Sequence, residues 1–357
     1  MNASDAISSK GYAAYNSKSE LKPFDFKRRP VGPKDLLVNI LYCGICHSDI
    51  HTVRSEWGDR EFPIVPGHEI IGKVERIGDN VTKFKAGDIV GIGCMVDSCG
   101  ECESCKADAE YACERGGPTW TYGSEEKHIG GKTYGGYSNN IVVEETFTLK
   151  IPSNVDLAAT APLLCAGTTT YTPLRYWNVG PGQNVGVIGL GGLGHIAVKF
   201  AHSFGANVTV LTTSQEKLRD AAKFGASGTL LINDEKAMKE HSGKFDLILD
   251  TASSKHDVNA FLHLLKRDGK LVLVGLPSEP LSINAFSLVT GHHVLAGSGL
   301  GGIAGTQEML DYCAQNKIAS EVEVIPIQKV NEAYERVVKG DVLYRFVIDM
   351  ASLNKEK

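Results

Sequence analysis

Short apolar runs alternate with segments of helical periodicity through the second half of the chain. NVGVIGL, which begins at Asn184, has the character of a buried strand, and apolar residues follow it at helical spacing: Leu193, Ile196, Ala197, Phe200, Ala201 and Phe204. The alternation continues through VTVLT with a helix to Phe224, GTLLIN with a polar helix, FDLILD with a helix around 261–265, and KLVLVG. Such repeated strand–helix units predict an α/β fold with a parallel, doubly wound sheet.

A glycine-rich turn joins the first strand of this series to its helix. It reads GLGGLG and comprises Gly189, Leu190, Gly191, Gly192, Leu193 and Gly194. Strand, glycine turn and helix together are the setting of the dinucleotide-binding fingerprint, although a glycine turn in another α/β fold is an alternative. In the first interpretation Gly189 makes the tight turn, Gly191 admits the pyrophosphate, and Gly194 lets the helix pack closely on the strand. We therefore expect this turn to bind a dinucleotide.

The end of the second strand indicates which dinucleotide binds. NAD-binding domains carry Asp or Glu there, about 20 residues after the glycine turn, to hold the ribose 2′-hydroxyl. This chain carries hydroxyl and cationic residues instead: Thr212, Thr213, Ser214, Lys217 and Arg219. Hydroxyl donors and a cation suit a 2′-phosphate, which a carboxylate would repel. Glu216 is expected on the following helix rather than at the strand tip, so NADP(H) is favoured over NAD.

Four of the nine cysteines lie within one short segment, in the pattern C-x2-C-x2-C-x7-C: Cys99, Cys102, Cys105 and Cys113. Two-residue gaps let one loop wrap its thiolates around an ion, and four sulfurs form a closed, structural zinc site. An iron–sulfur cluster and unliganded thiols are the alternatives. The bacterial ferredoxin motif ends in C-x3-C-P, whereas the last gap here is seven residues and Glu114 follows. We expect this segment to stabilise the fold rather than to perform chemistry.

A second set of metal-binding residue types is spread over the first half of the chain. Its members stand in three motifs: Cys46 in GICHSDIH, His68 and Glu69 in PGHE, and Cys165 in LLCAGTT. Two cysteines and one histidine would leave one position open on a tetrahedral zinc ion, which is the arrangement of a catalytic site. No local spacing shows that these residues converge, and a buried apolar cysteine is the alternative for Cys165. The remaining cysteines are assigned to that buried type: Cys43, Cys94 and Cys313.

Composition narrows the class of protein. A chain of 357 residues predicts two domains, and a formal net charge of −5 gives no attraction to nucleic acid or to an anionic membrane surface. The N-terminal segment lacks the apolar core of a signal peptide, and no apolar run is long enough to span a bilayer. We therefore expect a cytoplasmic protein with reduced thiols, and neither nucleic acid nor membrane as a partner.

Taken together, these motifs make the chain resemble the zinc-containing medium-chain alcohol dehydrogenases, and within them the cinnamyl-alcohol-dehydrogenase-like branch of NADP-dependent aldehyde reductases. The resemblance covers essentially the full length and rests on GICHSDIH, PGHE, the four-cysteine segment, LLCAGTT, GLGGLGH followed by TTS, and RFVID. It implies a GroES-like, β-rich catalytic domain over residues 1–155, completed by residues 299–357. A Rossmann nucleotide-binding domain would occupy residues 156–298. The resemblance also implies NADP(H), two Zn²⁺ ions per chain and a homodimer.

The resemblance assigns roles to residues around the second metal site. It implies that the catalytic zinc is held by Cys46, His68 and Cys165, with Glu69 as a nearby carboxylate that can enter the coordination sphere. Asp49 would bond the imidazole of His68 and select its tautomer. Ser48 would contact the substrate oxygen, and His51 would pass its proton to solvent.

Further roles concern the cofactor and the substrate. Residues near the cofactor would include Thr169, Val274, Ser298 and Gly299, besides the glycine turn and the segment at Thr212. Trp57 and Trp120 fall where relatives line the substrate pocket, with ordinary core packing as the alternative. His47 is cofactor-adjacent at most, and His195 is expected on a helix surface.

The function implied is reversible hydride transfer between NADPH and aromatic or medium-chain aldehydes, by an alcohol dehydrogenase of the general NADP-dependent or the cinnamyl-alcohol type. Zinc would polarise the carbonyl oxygen and the cofactor would supply the hydride, in a cleft where metal and nicotinamide meet. A reductase of iminium or conjugated C=C substrates on the same fold is the main alternative. Ser48 and His51 argue against it, because that reaction has less use for an oxygen-directed proton relay. A non-catalytic protein that merely keeps the fold is a second alternative.

Overall fold

The computed structural model describes residues 6–277 and 279–355. Its strands are β1 (Ile7–Ala13), β2 (Lys22–Arg28), β3 (Asp35–Gly44), β4 (Ile70–Ile77), β5 (Ile89–Ile92), β6 (Met95–Asp97), β7 (Thr119–Trp120), β8 (Asn140–Glu144), β9 (Leu149–Lys150), β10 (Asn184–Ile188), β11 (Asn207–Thr212), β12 (Gly228–Leu231), β13 (Phe245–Asp250), β14 (Leu265–Leu273), β15 (Val294–Gly297), β16 (Val322–Pro326) and β17 (Arg345–Asp349). Its α-helices are α1 (His47–Val53), α2 (Glu103–Lys106), α3 (Leu157–Thr160), α4 (Ala166–Tyr176), α5 (Gly194–Ser203), α6 (Gln215–Ala221), α7 (Glu235–Glu240), α8 (Val258–Leu262), α9 (Ala285–Val289), α10 (Ile303–Asn316) and α11 (Val330–Val338). Short 3₁₀ helices occupy Glu110–Ala112, Glu145–Phe147, Ala161–Leu164, Ala222–Phe224, Ile327–Lys329 and Met350–Lys355.

The chain forms two compact units. One comprises the described residues up to Cys165 together with those from Gly301 onward, and the other is Ala166–Leu300. The domain limits inferred from the sequence, after residues 155 and 298, remain a prediction; the compact units divide after Cys165 and Leu300.

The unit Ala166–Leu300 is built on a parallel, six-stranded sheet. Its strand order is β12-β11-β10-β13-β14-β15. Successive strands are therefore added first on one side of β10 and then on its other side, as in a doubly wound dinucleotide-binding fold. Consecutive residues of the central strands are buried, for example Ile248 and Leu249 on β13, because helices cover both faces of the sheet. The parallel, doubly wound sheet predicted from the apolar pattern is therefore confirmed.

One predicted helix ends earlier than the apolar pattern suggests. The helix expected around 261–265 is α8, which stops at Leu262, and Leu265 already pairs with Phe245 of β13. The register between the two strands shifts after this first pair, and Asp268 adopts a left-handed backbone with φ of 62°. Apolar residues that satisfy a helical spacing here belong instead to the start of β14, because strand pairing overrides local periodicity.

The unit that contains the N-terminal residues is built on a seven-stranded sheet. The strands follow the order β16-β17-β3-β4-β5-β9, with β8 also paired to β3. Neighbours are antiparallel except β16 and β17, which are parallel to each other. Since β17 pairs directly with β3, the C-terminal residues complete the sheet that the first part of the chain begins.

Five of the α-helices begin at a side chain of Asp, Ser or Asn that caps the backbone. Asp156, Ser214, Asp234, Asp257 and Asn284 accept backbone N–H bonds at the starts of α3, α6, α7, α8 and α9. The longest helix is α10, with 14 residues. Within the described ranges, no helix combines the length and apolar character that crossing a membrane requires.

A partly buried ion pair lies at the carboxyl end of β13. Oδ2 of Asp250, which is 1% exposed, lies 2.7 Å from Nε2 of His256, and Nδ1 of the same ring lies 2.8 Å from the carbonyl oxygen of Ser254. Both ring nitrogens face acceptors, so both carry protons and the imidazole is cationic. The hydrogen bond with Asp250 raises the pKa of His256 above its usual range.

Replacing His256 should destabilise this unit in a pH-dependent way. Because the folded protein binds the His256 proton more tightly than the unfolded chain does, the stabilisation is complete below about pH 6.5 and is lost as pH rises through the folded pKa. His256→Gln should therefore lower the free energy of unfolding by about 1.5–3 kcal/mol at pH 6, and by less at pH 9. Chemical denaturation at both pH values measures this. His241→Gln, which alters a ring bonded to the Ala237 carbonyl, is the control; an equal loss at both pH values for His256→Gln would contradict the ion pair.

Candidate active site and metal centres

Four side chains from three separate segments meet in the first unit. One ligand atom each from Cys46, His68, Glu69 and Cys165 lies within 4.8 Å of the other three, and all four residues are buried. The structure thus brings together the residues that the sequence could not show to converge. Two thiols and one imidazole form the borderline-soft donor set that zinc prefers, so the cluster fits that ion.

Strand pairing explains how two of these residues meet. The strands β3 and β4 are antiparallel, and the N–H of Gly44 donates to the carbonyl of Glu69 at 2.9 Å. Cys46 therefore follows the end of β3 where His68 precedes the start of β4. Cys165 arrives from a different direction: it follows the 3₁₀ helix Ala161–Leu164, which packs against β5 through Leu164.

The thiols of this cluster interact with one another. A hydrogen bond with Cys165 holds the pKa of the Cys46 thiol well below its usual range, as does a further bond with His68. A bond between Cys165 and Cys94 also lowers the pKa of the Cys94 thiol. The assignment of Cys94 to the buried apolar type is therefore wrong, since it is partly exposed and adjoins the cluster. Cys43 and Cys313 are buried, as predicted.

The carboxylate of Asp49 hydrogen-bonds the two chain segments that carry Cys46 and His68. It has no exposed surface, and Oδ1 lies 3.0 Å from Nδ1 of His68. The N–H groups of Cys46 and Gly67 donate to the same carboxylate at 3.0 and 3.1 Å. Since Nδ1 donates to Asp49, Nε2 of His68 is left as the metal-binding nitrogen.

Glu69 is held by a cation that sequence reasoning missed. Nη2 of Arg345 lies 2.5 and 2.6 Å from the two carboxylate oxygens, and both side chains are buried. Burial opposes the charge of Arg345, but the Glu69 carboxylate outweighs it and raises the guanidinium pKa. The signal was present in the motif RFVID, where a cation precedes three apolar residues of a buried strand. Glu69 therefore bonds Arg345 while one of its oxygens lies within 4.8 Å of the ligand atoms of Cys46, His68 and Cys165, and its entry into the coordination sphere stays a prediction.

The predicted relay residues share one short helix. Ser48 and His51 are three positions apart on α1, which places them on neighbouring positions of one face. Oγ of Ser48 lies 3.6 Å from Sγ of Cys46. Nδ1 of His51 bonds the carboxylate of Glu56, which sequence reasoning missed although it lies only five residues further on. This bond leaves Nε2 of His51 as the nitrogen that can exchange a proton with other groups.

The two tryptophans have different surroundings. The ring of Trp57 stacks on the imidazole of His51, with centroids 4.6 Å apart and 28° between the planes. Trp120, on the short strand β7, is 42% exposed. Core packing, the alternative considered for both, is therefore wrong for Trp120. Their contact with substrate stays a prediction.

The second cluster is the four-cysteine segment. Ligand atoms of Cys99, Cys102, Cys105 and Cys113 lie within 4.8 Å of one another. The Cys102–Cys105 and Cys99–Cys105 sulfurs are 3.4 and 3.8 Å apart, close to the separation of about 3.8 Å that Zn–S bonds of about 2.3 Å give in a tetrahedron. Backbone N–H groups of Glu101 and Glu114 donate to the sulfurs of Cys99 and Cys102, respectively, and lower their pKa. Donors and spacing both fit zinc.

The same segment caps a helix from the C-terminal part of the chain. The helix α10 has no side-chain cap of its own. Instead, the carboxylate of Asp108 accepts the N–H groups of Ala304 and Gly305, both at 2.7 Å. Glu110 accepts the N–H of Ile303 at 3.2 Å. The four-cysteine segment therefore holds the first turn of α10 in place.

The glycine turn lies in the other unit, between β10 and α5. Gly189 has a φ of +85°, the left-handed region that favours glycine. A Cβ atom at Gly194 would lie 2.0 Å from the carbonyl oxygen of Gly189, whereas one at Gly191 would meet nothing within 4 Å. Gly192 and Leu193 follow, and Leu193 is the N-cap of α5. The turn is therefore closed toward the helix and open at Gly191, as pyrophosphate binding requires.

His195 is not on the helix surface. It is fully buried, and its Nδ1 bonds the carbonyl of Gly191 at 2.9 Å. The expectation of an exposed residue is wrong because α5 packs on the sheet with its first turn as well as with its apolar stripe. His195 thereby stabilises the glycine turn through a buried hydrogen bond.

The remaining predicted cofactor residues also lie in the unit Ala166–Leu300. Thr212 ends β11 and is buried, Thr213 is exposed, and Ser214 caps α6 by accepting the N–H of Lys217 at 3.4 Å. Glu216 stands on α6, as expected. Val274 and Ser298 each follow the carboxyl end of a strand, β14 and β15, and Gly299 comes next. Carboxyl ends of parallel strands form the nucleotide-binding edge of such sheets. Thr169 lies on α4.

Comparisons with known proteins agree with this geometry. The family model "Alcohol dehydrogenase GroES-like domain" matches residues 32–153, and "Zinc-binding dehydrogenase" matches residues 192–315. NADP-dependent alcohol dehydrogenase C 1 of Mycolicibacterium smegmatis is 52% identical over 342 residues, or 96% of this chain and 98% of that protein. Aldehyde reductase YahK of Escherichia coli is 49% identical over 96% of this chain and 99% of its own length.

A solved structure is similar over nearly the whole chain. CAD from Helicobacter pylori, complexed with NADP(H), superposes with a TM-score of 0.92 at 40% identity, covering 97% of this chain and 99% of that one. The chain belongs to the family of zinc-binding alcohol dehydrogenases with a GroES-like domain. The family inferred from the motifs is confirmed, and so is the combination of a GroES-like domain with a nucleotide-binding sheet.

Removing a ligand from the four-cysteine segment should loosen α10. Cys102→Ser should lower the zinc content from two ions per chain to one and lower the Tm, because structural zinc contributes folding free energy. Backbone amides of residues 303–305 should exchange with deuterium faster, because their carboxylate acceptors stand on the same segment. Metal analysis and hydrogen-exchange mass spectrometry measure these effects.

The control for this experiment is Glu103→Gln, which alters an exposed residue of α2 in the same segment without removing a sulfur. This variant should retain two zinc ions per chain, and the amides of residues 303–305 should exchange as slowly as in the wild type. A fully loaded wild type with one zinc per chain, or unchanged exchange in Cys102→Ser, would refute the assignment.

Proposed function

We propose that this protein is a zinc- and NADP-dependent alcohol dehydrogenase that interconverts aldehydes and primary alcohols, with aromatic or medium-chain aldehydes as substrates. The observation that carries the proposal is the buried set of Cys46, His68 and Cys165, with the Ser48 hydroxyl 3.6 Å from one of its sulfurs. The relatives named above, an NADP-dependent alcohol dehydrogenase and an aldehyde reductase, support the reaction and the cofactor.

Each residue of the first cluster has a defined task. When bound, zinc would supply a Lewis acid for the carbonyl oxygen and NADPH a hydride for the carbonyl carbon. Cys46, His68 and Cys165 would hold the metal and leave its fourth position to substrate. Asp49 keeps the proton of His68 on Nδ1, and Arg345 holds the carboxylate of Glu69 beside these three residues.

Ser48 and His51 would move the proton. In aldehyde reduction Ser48 donates its hydroxyl proton to the developing alkoxide oxygen, and His51 restores that proton from solvent. Glu56 accepts the Nδ1 proton of His51 and fixes the ring, while Trp57 covers one face of it. In alcohol oxidation the same groups carry the proton outward.

The cofactor preference would come from the end of β11. Ser214 accepts a bond from the Lys217 N–H, so its hydroxyl proton is available to an anion, and the side chain of Thr213 is exposed beside it. Neither of the first two positions after the strand carries a carboxylate. These features suit the 2′-phosphate of NADP.

We further propose a homodimer formed through the edge of the six-stranded sheet. Within the described residues, β15 pairs only with β14. Phe286 and Val289 on α9 are 72% and 76% exposed. Exposed apolar residues beside an unpaired strand edge favour pairing with a second chain. A cytoplasmic location suits both clusters, because their thiols must stay reduced to bind metal.

The cofactor proposal predicts a change in preference on adding a carboxylate. The wild type should prefer NADPH over NADH at least roughly tenfold, which is about 1.4 kcal/mol. Thr213→Asp should raise the KM for NADPH far more than that for NADH, because the new carboxylate would face the 2′-phosphate. Thr229→Asp adds the same charge at an exposed position of β12 and should leave the preference unchanged. Equal losses with both cofactors in Thr213→Asp would mean that the segment does not contact the 2′-phosphate.

The reaction itself is tested at Ser48. The wild type should reduce benzaldehyde with NADPH, and Ser48→Ala should lower kcat by 10²–10⁴, roughly the span for a lost general acid. NADPH affinity should stay nearly unchanged. Cys46→Ser should abolish zinc binding at this site and nearly all turnover, whereas His51→Gln should be milder because water can replace the outer end of the relay.

The alternative function predicts the opposite order. A reductase of iminium or conjugated C=C substrates should barely reduce benzaldehyde, and Ser48→Ala should hardly affect it. Unimpaired benzaldehyde turnover by Ser48→Ala would overturn the relay, and no turnover by a fully zinc-loaded wild type would overturn the proposed substrate class.

A further inference from the structure

Beyond the relay and the ligands, a chain of buried hydroxyl groups ends on the carboxylate of Asp49. The phenol of Tyr137 donates to Oδ2 of Asp49 at 3.3 Å, and the phenol of Tyr334 donates to the Tyr137 oxygen at 3.4 Å. Tyr137 is 0% and Tyr334 5% exposed. Their sequence positions are 88 and 285 residues from Asp49, so no local pattern marks them.

The phenol of Tyr137 is one of the hydrogen-bond donors that satisfy this carboxylate. Oδ1 accepts from the Gly67 N–H and the His68 ring, and Oδ2 accepts from the Cys46 N–H. An ionised carboxyl group has about four lone-pair sites; the Tyr137 phenol occupies one on Oδ2, and the Tyr122 phenol also bonds the carboxylate. Without the Tyr137 phenol, Oδ2 of a fully buried carboxylate would lose one of its hydrogen-bond donors.

The backbone keeps Tyr137 in this position. The N–H of Tyr137 donates to the carbonyl of Pro66 at 3.0 Å, and the N–H of Gly136 donates to the carbonyl of Gly67 at 2.8 Å. Gly67 has a φ of +103°, and a Cβ atom there would lie 2.6 Å from the Tyr137 ring. The segment of Tyr137 is thus fastened to the segment that leads into His68, and the ring crosses Gly67 to reach Asp49.

Tyr334 extends this chain to the C-terminal part of the protein. It stands on α11, and its ring meets that of Tyr137 edge-on, with centroids 6.4 Å apart. Burial, with the nearby charge of Asp49, raises the pKa of both phenols well above the usual range, so both remain protonated donors. The hydrogen bonds therefore run in one direction, from Tyr334 through Tyr137 to Asp49.

We propose that Tyr137 and Tyr334 are positioning residues for the first metal cluster, acting in series through Asp49 to orient the imidazole of His68. The proposal rests on the proposed function only in that this cluster binds zinc; it needs no particular substrate. A less constrained Asp49 carboxylate would orient His68 less well. Zinc binding would therefore weaken, whereas cofactor binding would not.

The test measures metal binding directly. Zinc release from the loaded enzyme to a chromophoric chelator should show a phase from each cluster, and the four-cysteine phase serves as reference within the same molecule. Tyr137→Phe should lower the zinc affinity of the first cluster about tenfold, which is the lower end of the range for losing a partner of a metal ligand. Tyr334→Phe should weaken it by about threefold, because it acts one bond further away. The four-cysteine phase should not change.

The serial arrangement is tested by combining variants. The double variant Tyr137→Phe/Tyr334→Phe should release zinc like Tyr137→Phe alone, because the bond through which Tyr334 acts is already absent. In the Asp49→Asn background, Tyr137→Phe should likewise add nothing. Tyr171→Phe, a buried tyrosine of the other unit packed against Phe200, is the control and should match the wild type.

A second readout reports the geometry at the metal. With Co²⁺ in place of zinc at the first cluster, the visible absorption spectrum should shift in Tyr137→Phe and stay unchanged in Tyr171→Phe. Unchanged release and spectrum in Tyr137→Phe would overturn the proposal, and so would additive losses in the double variant, which would show that the two phenols act only by packing. Since no step measures turnover, an error about the substrate or cofactor would leave these outcomes intact.

Discussion

The first unit depends on a carboxylate that has no contact with water. Asp49 is fully buried, and its charge is balanced by donors from the segments that present the metal-binding side chains. Stranding such a charge without donors would cost several kcal/mol. The N-terminus of α1 and the segment before β4 therefore cannot separate without leaving the charge unsatisfied. One residue thus joins two chain segments, fixes the tautomer of His68 and positions Cys46.

The two clusters differ in how far apart along the chain their metal-binding residues lie. The four-cysteine segment is local: 15 residues supply every sulfur, and their own backbone N–H groups stabilise the thiolates. The other cluster is assembled from residues 46, 68 and 165, so its geometry depends on the seven-stranded sheet. A local cluster can be closed on all sides and still support distant structure, as it does through Asp108 at α10. A cluster set in a sheet can leave one position free.

The C-terminal residues that return to the first unit contribute side chains to the surroundings of the metal cluster. They supply Arg345, which neutralises the buried Glu69, and Tyr334, which begins the hydroxyl chain to Asp49. Completion of the sheet by β17 is therefore also completion of the electrostatic surroundings of the cluster.

The sequence by itself determined whatever is encoded in neighbouring residues. Periodicity marked the parallel sheet, glycine spacing marked the turn at Gly189, and cysteine spacing marked the closed cluster, because each depends on local backbone geometry. Only the tertiary structure decided that Cys165 meets Cys46, that Arg345 bonds the carboxylate of Glu69, and that His195 is buried. The end of α8 was misjudged for the same reason, since pairing with Phe245 decided it. Contacts across a hundred or more residues are set by strand pairing and burial, and no spacing along one chain records them.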